Sequence, residues 1–236
     1  MRIYEMAIPN NSQKEKIFYH GTASMGNAMN ILHNGLDPSK TEIKFKDTQN
    51  DILYPQKGMV YLTPHLYYAI LYAVRHDFFG KEIPKKVIEN EGQYGYILQF
   101  SGMDLQDIEP DEDSIGEFLH IWYNQTDEYI AKKHKDFLQI SKHDMKKFNQ
   151  FFNIVSSTIT KAIQNKIKNG DISSMALFGK KLIPLLPDEI KLWLIDLGAH
   201  IAHRGVIKPT HLYKIDKNQL VNLKKTDNLT KYLIPL

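Results

Sequence analysis

Residues 16–36 read KIFYHGTASMGNAMNILHNGL, and the order of patterns in this stretch decides the fold class. Lys16 to His20 is short and β-prone, and Gly21-Thr22 punctuates it, which predicts a strand. Met25, Ala28, Met29 and Leu32 then recur at steps of three and four, with Ser24 placed as N-cap and Gly35 just past the end. The strand-then-helix order returns at 58–76, GMVYLTPHLYYAILYAVRH. Met59 to Leu62 reads as the strand, and Thr63-Pro64 supplies an N-cap and a first helical position for the helix after it. Between the two pairs, residues 37–57 show no sustained period and are expected to form a long loop, a length often functional inside a compact domain.

Outward from these pairs, Tyr94 to Phe100 is a third strand, and the segment 103–114, MDLQDIEPDEDS, is acidic and turn-rich. From about Ser114 the texture becomes helical. Met145, Phe148, Phe152, Val155, Ile159, Ile163 and Ile167 form one stripe, predicting a single helix from Asp144 to Asn169 about 38 Å long. Shorter helices are expected near 172–180 and 187–197, then strands at 200–206, 211–215 and 219–223. The expected class is α+β: one domain over 1–236, with a mixed β-sheet core and a largely helical insertion over roughly 114–197.

Composition sets outer limits. The chain has 236 residues, 30 Lys+Arg against 27 Asp+Glu, and no cysteine, which removes disulfides, thiolate metal sites and cysteine nucleophiles. A net charge of +3 is too mild to announce a nucleic-acid binder. The first sixteen residues lack the apolar core of a secretory leader, and Pro184, Pro187 and nearby charges interrupt the apolar stretch 182–201. A cytoplasmic chain without a membrane role is expected. His200-x-x-His203 lacks the helical i, i+4 spacing of a zinc-peptidase motif, so no metal is expected. No phosphate loop and no Rossmann glycine fingerprint is present either.

Four residues could carry chemistry at the first strand end, Tyr19-His20-Gly21-Thr22. Either His20 is a satisfied strand-end histidine, or it donates a hydrogen bond to a sugar hydroxyl while Gly21 lets a planar ligand approach the backbone. Tyr61 and Tyr72 are either core aromatics or the two faces of a stack. The lysines at 132, 133, 135, 146, 147, 161–168, 180, 181, 224 and 225 are either a solvated face or a phosphate-tracking surface, with Trp122, Tyr123 or Phe151 to stack bases.

Taken together, Tyr19-His20-Gly21-Thr22, the helix ending in Gly35-Leu36, and Gly58-x-x-Tyr61 before a helix carrying Tyr72 resemble the ADP-ribosyltransferase fold. The resemblance is to the branch sharing a His-Tyr signature with diphtheria toxin and the poly(ADP-ribose) polymerases. It covers residues 16–76 and extends through Tyr94–Phe100 to Ile207-x-Pro209-x-x-Leu212, while the helical stretch shows no match. It implies NAD as a substrate, released nicotinamide, and ADP-ribose moved to a protein or nucleic acid acceptor. His20 would hydrogen-bond the adenine-side or nicotinamide-side ribose, Gly21 would pair with the nicotinamide amide, and Thr22 would lie in the same NAD-binding set. Tyr61 and Tyr72 would hold the nicotinamide ring, where a cationic pyridinium gains about 0.5–2 kcal/mol per aromatic face. Members of the branch place a Glu on a late strand, and the corresponding segment here, Ala199 to Gly205, has no carboxylate. His203 or His200 takes its place, with Arg204 beside a diphosphate; or Glu109, Asp111, Glu112 or Asp113 swings in; or the chain binds NAD without transfer. The implied alternatives are a non-catalytic NAD or ADP-ribose module and an RNA 2′-phosphotransferase type, for which Arg75 and Arg204 are the best-placed arginines. A toxin role would add a cognate antitoxin or immunity protein as partner.

Overall fold

The computed structural model describes residues 16–40, 58–74, 92–222 and 228–236. The expectations for the leader, for most of the 37–57 loop, and for Arg75, Lys224 and Lys225 therefore lie outside the described residues. The class is α+β, with two antiparallel sheets in place of the single mixed sheet expected from the sequence. The chain divides into two compact units. Leu105–Ala202 form one, and the described residues before and after them form the other.

The sheet unit opens with β1 (Phe18–Thr22), two residues later than predicted because the ladder runs on through Gly21 and Thr22. β1 pairs with β3 (Tyr94–Phe100), which pairs with β6 (His211–Asp216), which pairs with β7 (Ile234–Pro235), all antiparallel. Helix α1 (Met25–Asn34) begins where the sequence places it: the Ser24 hydroxyl accepts from Asn27 N–H at 3.2 Å. Gly35 closes it at φ 87°, and Leu36 then exchanges two backbone hydrogen bonds with Ile207 at 2.7 and 3.1 Å.

β2 (Met59–Leu62) is followed by α2 (Leu66–Val74), which starts later than Thr63-Pro64 predicts. The Thr63 hydroxyl accepts from His65 N–H at 3.1 Å in a local turn, and His65 O accepts the first helical N–H groups. α2 then lies on β1 and β3, and two glycines make that possible. A Cβ on Gly21 would sit 2.9 Å from Ala73 N, and one on Gly95 would sit 2.6 Å from Ala73 O. Ala69, Ile70, Ala73 and Val74 close a core with Ile97 and Ile215. The strand expected at 219–223 is a 3-10 turn, Lys217–Asn222. There the Asp216 carboxylate accepts from Asn218 N–H at 2.9 Å and buried Lys217 donates its Nζ to Gly92 O at 3.0 Å.

The helical unit runs over Leu105–Ala202, and its helices differ in their parts from those expected. After β4 (Ile108–Pro110) come α3 (Glu112–Tyr123), α4 (Glu128–Lys133), α5 (Lys135–His143), α6 (Met145–Thr158), α7 (Lys161–Lys168), α8 (Ile172–Leu182) and α9 (Asp188–Asp196). The single long helix of the sequence reading is two. Ile159 is extended, at φ −83° and ψ 134°, and Thr160 caps a new helix by accepting from Ile163 N–H. Ser157 and Thr158 hydroxyls both donate back to Ile154 O, which weakens the last turn of α6. Phe118 centres the core, with ring centroids 4.9 Å from Phe137, 5.2 Å from Phe151 and 6.0 Å from Trp193.

Candidate functional site

Three strands carry the sequence-predicted site residues other than Tyr72, and each of these strands neighbours another. Tyr19 in β1 and Thr63 just after β2 exchange backbone hydrogen bonds at 2.8 and 3.0 Å. β2 in turn neighbours β5 (Ile201–Arg204), the strand of His203 and Arg204.

This pairing brings His20 onto Tyr61. The imidazole Nδ1 lies 3.4 Å from the Tyr61 carbonyl oxygen, which can only accept, so Nδ1 carries the proton and donates. Burial holds the His20 pKa below its ordinary value and outweighs the opposing pull of that carbonyl. The neutral ring therefore presents Nε2 as an acceptor. The sequence reading has His20 donating to a sugar hydroxyl; the geometry leaves it only an acceptor, Nε2, for any such partner.

The other site residues are placed as follows. Gly21 is half-buried, and its missing side chain is already accounted for by α2 packed against it, so a ligand is not needed to explain a glycine there. Thr22 is half-buried at the start of the Ser24 turn, where its hydroxyl accepts from Ser24 N–H at 3.4 Å. Tyr61 is half-buried, and Tyr72 stands on α2 with 57% of its surface exposed, which removes the core-packing reading for Tyr72. His203 is 7% exposed, and its Nδ1 has no hydrogen-bond partner among the described residues. Arg204, next to it, is exposed.

The charges of the acidic segment suit a solvated turn, and Asp107 and Asp113 are exposed, but its later part becomes the start of α3. Asp111 and Glu112 are buried, and Asp111 caps α3 by accepting from Asp113 N–H at 3.2 Å. Asp111 N–H donates to His200 O at 2.8 Å, while His200 N–H donates to the Ser114 hydroxyl at 3.0 Å. His200 thus precedes β5 and meets α3. Lys180 lies 3.7 Å from Glu112, and Lys191 lies 3.5 Å from Glu109. Burial, with the Asp113 and Glu112 charges behind it, raises the Asp111 pKa well above the usual carboxylate range. Asp113 is raised to about 6, by desolvation first and by Glu112 next.

A raised folded-state value means that the fold holds the Asp111 proton more tightly than the unfolded chain does. Stability from this group is therefore present at acid pH and lost as pH rises above the ordinary carboxylate value. Asp111→Asn keeps the capping oxygen and removes the charge, so it should flatten that decline and raise the melting temperature at pH 7.5 but not at pH 4. Parallel melting curves for wild type and variant across this range would remove Asp111 as the cause.

The sequence reading passed over Glu117, His120 and His134. They line a cleft of about 270 Å³ with Asp127, Tyr129 and Lys133. The available signal was the i, i+3 spacing of Glu117 and His120, which puts both on one face of α3. His120 Nδ1 donates to Ile167 O at 2.8 Å. His134 is buried with its Nδ1 unpartnered among the described residues. Burial, then Lys133 and His120, lowers its pKa to about 4. Among the described residues, no group of three His, Cys, Asp or Glu is arranged to hold a metal ion, and no helix is long and apolar enough to cross a membrane.

Comparison with protein families, with curated proteins and with solved structures finds no match to the chain.

Proposed function

We propose that the sheet unit binds NAD and that the protein transfers ADP-ribose from it to a macromolecular acceptor. The observation that carries this reading is the apposition of His20 and Tyr61 across β1 and β2, with β5 as the next strand. The pairing of Leu36 with Ile207, which joins two further pieces of the resemblance, supports it. In the proposed reaction the bond between the ribose C1′ and the nicotinamide nitrogen breaks, and nicotinamide leaves with the bonding pair, neutral. An oxygen or nitrogen of the acceptor bonds to C1′, and its proton passes to His203. His20 accepts from a ribose hydroxyl, and the Tyr61 and Tyr72 rings hold the nicotinamide. A carboxylate beside the developing sugar cation would stabilise it by direct charge attraction, and an uncharged imidazole lacks that effect. Transfer is therefore slow or confined to a reactive acceptor.

The absence of a carboxylate from Ile201–Arg204 favours one other reading, a module that binds NAD or ADP-ribose and transfers nothing. Nicotinamide release from NAD separates the two.

The site itself is tested by calorimetry. One lost neutral hydrogen bond costs about 0.5–1.5 kcal/mol, so His20→Ala should weaken NAD binding several-fold. Tyr61→Ala should weaken it at least as much through lost stacking. Unchanged affinity in both variants, each shown to be folded, would refute the assignment.

A further inference from the structure

Between Tyr129 and Lys181 the chain carries eleven lysines against three acidic residues, Asp136, Asp144 and Asp171. Two of the three, Asp144 and Asp171, are engaged as helix N-caps. Three of the lysines, each from a different helix, stand over aromatic rings, two of them at the C-terminal end of α3 and the third within α4. Lys142 of α5 lies 5.3 Å from the centre of the Trp122 ring. Lys168 of α7 lies 5.9 Å from Tyr123, and Lys133 of α4 lies 5.9 Å from Tyr129. All three lysines are exposed, Trp122 and Tyr123 are half-exposed, and Tyr129 is 72% exposed. The cleft lined by Glu117, His120, Tyr129 and Lys133 opens at this same end of α3.

We propose that this surface binds single-stranded nucleic acid, with Lys133, Lys142 and Lys168 on its phosphates and a base against Tyr129 in the cleft. Ammonium groups interleaved with exposed rings are the two components of such binding: charge follows the backbone, and the rings take any base by its face. A solvated lysine face needs no aromatic partners, and an acidic protein would have no use for an open ring beside a cleft with room for a single base. Duplex bases are stacked and cannot enter the cleft, so the preference is for single strands. With Nδ1 given to Ile167, a neutral His120 retains Nε2 as its acceptor. Glu117 and Asp127 add carboxylates to the cleft wall, which suit the amino groups of a base edge and not another phosphate. Phe151, a base-stacking candidate from the sequence, is fully buried in the helical core and takes no part. The inference stands apart from the NAD reading; if both hold, it names the acceptor class.

The test is fluorescence anisotropy of the full chain with a labelled single-stranded oligonucleotide of about twelve mixed-sequence nucleotides. Binding should weaken with salt, the three lysines contributing about −2 to the log–log slope at roughly 0.7 per phosphate. The triple variant Lys133→Gln, Lys142→Gln, Lys168→Gln should lose that part of the slope, while the corresponding triple Arg variant should retain it. Tyr129→Ala should cost about ten-fold in affinity and leave the slope unchanged. Circular dichroism establishes that each variant is folded. No binding at low salt, or a Gln triple variant that binds as wild type, would overturn the proposal. A polyglutamate or heparin probe that binds as tightly and ignores Tyr129→Ala would make the face a general anion or acidic-protein surface, which also overturns it.

Discussion

Gly21→Ala should lower the melting temperature by about 5 °C or more and should do so without any ligand present. The added methyl would sit 2.8 Å from the Ala69 carbonyl carbon and 2.9 Å from Ala73 N. Both are backbone atoms of α2, which a rotamer change cannot move. Either the helix lifts off β1 and β3, giving up contacts of Ala69, Ile70 and Ala73 with the sheet, or the strand distorts. Overpacking of this kind costs about 1–3 kcal/mol, and rigid backbone on one side places this case at the upper end. Gly58→Ala is the control. It has a positive φ of 86° and nothing within 4 Å of the added carbon, so only the backbone strain of about 1 kcal/mol applies. Melting curves followed by circular dichroism check the pair. If Gly21→Ala melts at the wild-type temperature, α2 does not pack on β1 as described. The result also bears on function: lost NAD binding in Gly21→Ala would not by itself locate the nicotinamide amide, because the same substitution disturbs the helix that carries Tyr72.

Gly21 shows where sequence reasoning reaches its limit. A bare backbone position looks the same from the sequence whether a ligand or a helix occupies the space, and only the small residues Ala69 and Ala73, four apart on α2, point to the helix. The elements themselves were largely legible. Ser24 bounds α1 through its hydroxyl and Gly35 through its positive φ, and β3 has its predicted limits because an apolar, aromatic run ends at Ser101-Gly102. The break at Thr160 was not legible from the stripe. Phe148, Val155 and Ile167 are buried in one core on either side of it, and periodicity reports which face is buried, not whether the backbone is continuous. The acidic segment misled for a related reason. Charge suggested solvent, yet Asp111 is the first link of α3, and a cap is by nature a polar group drawn under the end of a helix.

His203→Leu should have opposite effects on stability and on activity, and that opposition is what distinguishes a working histidine from a tolerated one. His203 is almost wholly buried in β5, and its Nδ1 finds no partner among the described residues. A buried polar atom without a hydrogen bond costs about 1–3 kcal/mol, whereas an apolar side chain of similar size carries no such cost. The substitution should therefore leave the melting temperature unchanged or raise it. If His203 takes the acceptor proton during transfer, the rate of ADP-ribose transfer should fall by about 10²–10⁴-fold in the same variant. NAD affinity should change little, since in the proposed reaction the ring meets the acceptor and not the nicotinamide. A residue kept at a cost to stability and needed for turnover is the usual mark of a functional site. Transfer at the wild-type rate with a raised melting temperature would make His203 a core residue that the fold merely accommodates. Asp113→Asn, measured beside it, then decides the remaining question. If that variant abolishes transfer while His203→Leu does not, the carboxylate the reaction calls for comes from the start of α3, and β5 contributes no proton acceptor.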